Sequence, residues 1–424
     1  MTLRPFIFWP HLLAGVIAGT VVLIMSVTGV LLTYERQLIA WSDSHYVSSV
    51  PSPQARRLSV DRILERAKEH SAGETVTAVA IGAAPEAPVV LTASNRPLYV
   101  DAYTGARLGE GSTRIRTMMS RLRAWHRWLA VEGEGRPVAR AITGWSNLVF
   151  AFIVLSGAYL WLPRVWRWPQ VKAVLLFRSR LSGKARDYNW HNVIGVWSAV
   201  PLFIVVVSAV PISFQWANAA IYRAVGETPP AGRGGGGGRA EGGRQEGRQG
   251  ARQAEPGGDA RRSDGGRTAD RDGTAANSAT AETTDFERLF VRAERQVSGW
   301  RTITLRLPDG ASAPAVFNID RGDGGQPHLR STLTLARATG EVVSFEDFSS
   351  LTTGRRIRNV MRFAHTGEVL GIAGQTVAGL VSAGAVVLVW TGLALACRRC
   401  RAWIARRSSK STTVPVEDRT SAVA

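Results

Sequence analysis

Cysteine is almost missing from this chain: Cys397 and Cys400 are the only two in 424 residues. Two thiols cannot build a disulfide framework. Cys397-Arg-Arg-Cys400 also lacks the following His that covalent attachment of a c-type haem requires, so any haem has to be held by ligation alone. The βαβ setting of a thioredoxin-like CxxC is missing too, which leaves inert or lipid-modified thiols. Acids are scarce, 33 against 52 Lys and Arg, for a formal charge of +19. The cations flank apolar runs or fall in one low-complexity stretch, a pattern that speaks against a nucleic-acid partner. No GxGxxG or P-loop stands between a strand and a helix, so a fused nicotinamide or flavin module is not expected. The Gly234 to Gly238 run is compositional.

Long apolar runs, by contrast, are present at 12–32, 142–162, 193–214 and 372–396, each nearly free of charge. A bilayer core of about 30 Å takes about 20 helical residues, because no backbone group can stay unpaired in hydrocarbon. A single soluble globule is thereby excluded, and the expected architecture is a four-transmembrane-helix bundle. The short connection 163–192 carries Arg164, Arg167, Lys172, Arg178, Arg180, Lys184 and Arg186 against the single acid Asp187. Short cationic loops stay inside, so this loop, both termini and the basic tail 397–424 are expected in the cytoplasm. The run at 12–32 is too long for a typical signal-peptide core and reads as an uncleaved anchor.

The two long external segments change period. Residues 59–70 have helical spacing at Ile63, Leu64 and Ala67, while 75–81, 87–93 and 98–102 alternate as strands. That unit, within 37–113, closes on a Thr104-Gly105 turn, where glycine supplies positive φ. The segment 285–365 repeats the plan, with a helix over 285–297, strands at 300–307 and 315–320, and a closing Thr339-Gly340. Two small α+β domains are the expectation. Residues 215–227 continue the third span as a helix end. The Gly/Arg-rich insertion 228–284 cannot bury enough apolar surface to fold, and reads as a disordered, solvated linker. Residues 114–129 set Ile115, Met118, Met119, Leu122, Trp125 and Trp128 among arginines, an amphipathic helix in the membrane interface that, with its linker, fills 114–141.

His11-Leu-Leu-Ala-Gly-Val in the first span, Leu160-Trp-Leu-Pro-Arg164 at the exit of the second, His191-Asn-Val-Ile-Gly-Val-Trp197 opening the third and the paired Thr-Gly units occur in fixed order. With them the chain resembles the PepSY-associated transmembrane-helix proteins over nearly all but the insertion and tail. The resemblance implies PepSY-like domains in the periplasm. Some members of that family are inner-membrane ferric-siderophore reductases with two b-type haems; others have no assigned substrate.

The histidines can be read by position alone. His11 and His191 open two outward-running spans at one depth, the cytoplasmic side. His126 and His365 precede two inward-running spans at the outer side. Neutral imidazole is the usual axial ligand of haem iron where no Cys or Met is placed for it, and ionisable groups at membrane helix ends are functional candidates. The expectation is therefore two haem b groups, one between His11 and His191 and one between His126 and His365. His45, His70 and His328 read as surface residues. Arg4, Arg127 and Arg362 stand near the ligand candidates and could pair with haem propionates or simply anchor the spans. Most tryptophans near the spans read as interfacial belts, with Trp197 a minor candidate to pack on a porphyrin.

The expected function is an inner-membrane oxidoreductase that moves electrons outward. The donor is a cytoplasmic reductase or quinol, and the periplasmic acceptor implied by the resemblance is a ferric siderophore. The alternative is a non-redox PepSY protein that binds or regulates periplasmic peptidases. A transporter is disfavoured, since the spans lack intramembrane acids and broken repeats.

Overall fold

The computed structural model describes residues 3–70, 74–162, 167–230, 285–308, 310 and 312–411. Pro163 and Arg164, nearly all of the Gly/Arg-rich insertion and the end of the tail lie outside the described residues.

The first half of the chain runs α1 (Arg4–Leu32), α2 (Glu35–Ser42), α3 (Val60–His70), β1 (Val76–Gly82), β2 (Val89–Ala93), β3 (Arg96–Val100), β4 (Arg107–Gly109), α4 (Thr113–Trp128) and α5 (Arg136–Trp161). After a short helix α6 (Trp168–Leu175), the second half runs α7 (Gly183–Ser208), α8 (Val210–Ser213), α9 (Gln215–Ala224), α10 (Phe286–Gln296), β5 (Thr302–Arg306), β6 (Ala315–Asp320), β7 (Arg330–Leu335), β8 (Val342–Glu346), α11 (Thr353–His365) and α12 (Gly371–Ser411).

Among the described residues, four helical stretches are long and apolar enough to cross a membrane: Arg4–Leu32, Gly133–Trp161, Gly183–Ser213 and Glu368–Arg407. All four expected spans are there, but α1 and α7 begin well before their apolar runs. Backbone hydrogen bonding continues a helix through polar residues, whereas hydropathy registers only the part in contact with lipid. His11 and His191 therefore sit about two turns inside their helices, not at the heads. α1, α5, α7 and α12 pack in cyclic order, each on two neighbours, so that α1 faces α7 and α5 faces α12 across the bundle. Ala18, Val22, Phe150, Leu202, Val206 and Ala385 fill the interior. Ile17, Val200 and Leu380 lie on the outside, where exposed apolar side chains suit contact with lipid.

Outside the bundle, the two α+β units are joined edge to edge in one eight-stranded sheet, ordered β4-β3-β2-β1-β5-β6-β7-β8. The seam is the antiparallel pair β1 and β5, with Ala80 opposite Thr304. Val79, Ile81, Leu91, Val100, Ile303, Leu305, Phe317, Ile319, Leu333 and Leu335 point from alternate positions into one core with Ile63, Ala67 and Leu289 from α3 and α10. That is the half-buried pattern an antiparallel sheet covered on one face requires. Both Thr-Gly turns form as expected: Gly105 has φ +73° and Gly340 φ +75°, and the Asp101 carboxylate accepts the amides of Tyr103 and Thr104 at 2.8 and 2.9 Å.

The repetition extends into the membrane. Each half has a His-bearing span, a helix and four strands, a second His-bearing helix and a second span. His11 and His191 are equivalent by this order, as are His126 and His365. His11 and Thr28 have the same separation in sequence as His191 and Ser208.

Candidate functional site

Of His11, His126, His191 and His365, the first and third lie within the spans and the other two on helices that lead into spans. His11 is on α1, and its Nδ1 lies 2.8 Å from Ser156 Oγ of α5. Its equivalent His191 is on α7, with Nδ1 3.0 Å from Thr391 Oγ1 of α12. α1 and α7 face each other across the bundle, and both rings are half-buried. This places the inner pair on the interior of the bundle, toward the end that carries the termini.

The outer pair lies at the end of the bundle nearest the sheet. α4 is capped by Ser112, whose Oγ accepts the Ile115 amide, and it packs on α1 and α5. It carries His126 to Thr28, with Nδ1 3.0 Å from Oγ1. On this helix Met119 is buried, while Met118 and Trp125 are exposed. α11, capped by Thr352, packs on α7, and His365 Nδ1 donates to the Val205 carbonyl at 2.8 Å. The His126 and His365 ring centroids are 6.1 Å apart with planes at 46°.

Val205 has a carbonyl to offer because α7 ends within the next turn, at Ser208. Pro211 has no N–H, the helix breaks at Ala209, and the Ala209 amide turns to Val206 at 3.3 Å where a regular helix would give it to Val205. The freed Val205 carbonyl accepts from His365 Nδ1 and from Ser208 Oγ at 2.9 Å, and Val206, besides the Ala209 amide, accepts from Asn147 Nδ2 at 3.0 Å. Pro201 remains inside α7.

Haem fits these residues on two observations. A metal to imidazole bond is about 2 Å, and two of them plus the offset of each nitrogen from its ring centre fill the 6.1 Å between His126 and His365. Small residues also line the rings: a Cβ on Gly157 would stand 3.3 Å from His11 Cε1, one on Gly392 3.3 Å from His191 Cε1, and one on Gly29 3.6 Å from His126 Cε1. All four imidazoles are half-buried, with Nδ1 engaged.

The other candidates fall elsewhere. His45 is exposed and tilts against Tyr46 at 4.0 Å, His328 is exposed on a turn of 3-10 helix, and His70 ends α3 with its side chain outside the described residues. Arg4 donates to the Leu162 carbonyl. The Arg127 and Arg362 guanidiniums lie over Trp128 at 4.9 Å and Phe363 at 5.8 Å. Trp197 Nε1 donates to the Leu175 carbonyl at 3.0 Å, and the ring is exposed, turned toward α6 and away from the histidines. Trp9, Trp145 and Trp390 are exposed on the bundle surface, as interfacial belt residues are. Cys397 and Cys400 are free and exposed.

Sequence position did not single out Thr28, Ser156 and Thr391, whereas Pro201 and Pro211 do signal a kink in the third span that frees backbone carbonyls, of which Val205 is one. The available signal was three hydroxyls inside apolar runs, each followed by glycine, and a proline near the end of the third. No curated protein matches the chain. The family described as the PepSY-associated TM region matches residues 8–399. With four spans, the repeated α+β unit and that match, the chain belongs to the PepSY-associated transmembrane family as a multi-pass membrane protein.

Proposed function

We propose that this chain is a di-haem b electron-transfer protein of the bacterial inner membrane, with both termini in the cytoplasm and the sheet in the periplasm. It passes electrons from a cytoplasmic reductase or quinol to a periplasmic acceptor, and the family resemblance suggests a ferric siderophore as that substrate. His11 with His191 and His126 with His365 would be the axial ligands. One-electron exchange between ferric and ferrous iron is the chemistry haem supplies when bound. The chain's own part is to place two pairs of imidazoles at two depths, hold each ring by its Nδ1 edge and keep water away with the apolar packing of α1, α5, α7 and α12. The observation that carries the reading is the approach of His126 and His365, symmetry-equivalent residues on separate helices, to 6.1 Å between ring centroids.

The test is an absorption spectrum of the detergent-purified full chain, oxidised and dithionite-reduced, with haem quantified. About two b-type haems are expected. His11→Ala and His191→Ala should each remove the inner low-spin signal, His126→Ala and His365→Ala the outer one, and His45→Ala and His328→Ala neither. A colourless protein from cells supplied with haem would overturn the reading and leave periplasmic peptidase binding or regulation as the function to pursue.

A further inference from the structure

The three hydroxyls that meet histidines have their own protons already placed. Thr28 Oγ1 donates to the Ile24 carbonyl at 2.7 Å, Ser156 Oγ to Phe152 at 2.7 Å and Thr391 Oγ1 to Val387 at 2.7 Å. A hydroxyl has one proton and two lone pairs, so toward the imidazole each oxygen acts as acceptor. The proton in each His contact therefore belongs to the ring. At the fourth site the partner is the Val205 carbonyl, which only accepts. All four histidines thus carry hydrogen on Nδ1, and all four Nε2 atoms keep a free lone pair.

The glycines belong to the same contacts. Gly29, Gly157 and Gly392 each directly follow the hydroxyl residue, and each would place a Cβ 3.3 to 3.6 Å from the Cε1 of the ring its neighbour holds. The hydroxyl fixes one edge of the imidazole while the glycine lets the ring lie close to the helix. In the second half the counterpart of Thr28-Gly29 is Ser208-Ala209. Ser208 Oγ donates to Val205 O at 2.9 Å, and His365 goes to that carbonyl instead. The inner pair is therefore anchored alike on both sides, whereas the outer pair has one hydroxyl and one peptide anchor.

We infer that Thr28, Ser156 and Thr391, with the glycine after each, are positioning residues that fix His126, His11 and His191 as the Nδ1–H tautomer and present Nε2 to haem iron. This rests on the haem reading proposed above. A hydrogen bond accepted from the distal ring nitrogen raises ligand basicity and sets ring orientation, and its loss in metal sites costs about 10- to 100-fold in affinity.

The experiment uses the full chain in detergent, with Thr28→Val, Ser156→Ala and Thr391→Val read by haem retained per chain, midpoint potential and low-spin electron paramagnetic resonance. Ser198→Ala, which removes a hydroxyl bonded only to its own helix at Ile194, and Gly15→Ala, with nothing within 4 Å of its new Cβ, are the folding controls. Haem affinity should drop about 10- to 100-fold. The potential should rise for the inner haem in Ser156→Ala and Thr391→Val and for the outer haem in Thr28→Val. Thr391→Ser should restore the wild-type potential. Wild-type haem content, potential and resonance spectrum in all three variants would overturn the inference while leaving haem ligation intact. A wild-type protein without haem would instead overturn the reading of the site itself.

Discussion

Asp61 and Glu287 cap each other's helices. The Asp61 carboxylate, in the first turn of α3, accepts the amides of Phe286 and Glu287 at 3.1 and 2.9 Å. The Glu287 carboxylate, in the first turn of α10, accepts the amide of Val60 at 2.8 Å. Each acid satisfies amides at a helix N-terminus that the helix itself cannot, and each lies at the favourable end of the partner's dipole. They are equivalent positions of the repeat, so the contact ties the two α+β units together on the axis that also relates β1 to β5.

Removing either acid should loosen that junction. Asp61→Ala and Glu287→Ala are each expected to destabilise the sheet domain by about 1 kcal/mol. Because the two caps share one junction, the double variant should depart from the sum of the singles. Thermal and urea unfolding of the full chain in detergent, followed by near-ultraviolet circular dichroism, measures both. Stability unchanged in both single variants would count against the cap.

A second junction should carry a pH signature. Asp43 is buried at 5% exposure and binds Arg116 at 2.6 Å, the Ser112 amide at 2.8 Å and the Tyr99 hydroxyl at 2.9 Å. Burial alone would raise the Asp43 carboxyl, but Arg116, the Ser112 amide and Tyr99 together hold it below the usual range. The Tyr99 hydroxyl is pushed up to about 12 by burial first and then by its bond to Asp43. A depressed carboxyl stabilises the fold above the free value of about 3.9 and loses that contribution as pH falls below it. A raised phenol stabilises it below about 10, and that contribution is lost as pH rises from there toward about 12.

Melting temperature against pH should thus fall on both sides of a plateau. Asp43→Asn should flatten the acid limb and, by leaving Arg116 without its carboxylate, cost about 3 kcal/mol at neutral pH. Tyr99→Phe should flatten the alkaline limb and cost about 1 kcal/mol. Acid and alkaline limbs that match wild type in both variants would show that these groups do not govern them.

The turn from α11 into α12 leaves no room for a side chain. Gly367 has φ +75°, and its Cβ would come within 2.3 Å of the Gly374 carbonyl oxygen; a Cβ on Gly374 would come within 2.2 Å of the Gly367 oxygen. Both obstacles are backbone, so neither can rotate away. Gly367→Ala and Gly374→Ala should each cost about 3 kcal/mol or more, and should displace His365, two residues before the turn. Gly15→Ala, in open space on α1, should be close to neutral. The readout is melting temperature together with the fraction of chain that survives size exclusion as a single species.

Much of this protein was legible one element at a time. The apolar runs announced four spans because lipid demands about 20 unbroken helical residues. Alternation at Val79, Ile81, Leu305 and Phe317 announced strands because only period two places one face of a sheet in a core. His11 and His191 stood out at the starts of two of those runs, and His126 and His365 as the histidines that precede the other two. Helix limits were less legible: α7 starts at Gly183, ahead of the apolar run, because intrahelical hydrogen bonds do not depend on side-chain polarity.

What joins the elements was decided only in three dimensions. β1 finds β5 across the whole stretch that separates the two units, and the pairing that makes them one sheet rests on backbone groups that every strand carries alike. His11 reaches Ser156, His126 reaches Thr28 and His191 reaches Thr391, residues 145, 98 and 200 positions apart. Period and hydropathy report what each residue does within its own element. A hydroxyl chosen from a distant helix, or a carbonyl freed where α7 ends and taken by His365, depends on how the helices pack, and so the partner of each imidazole is a property of the bundle.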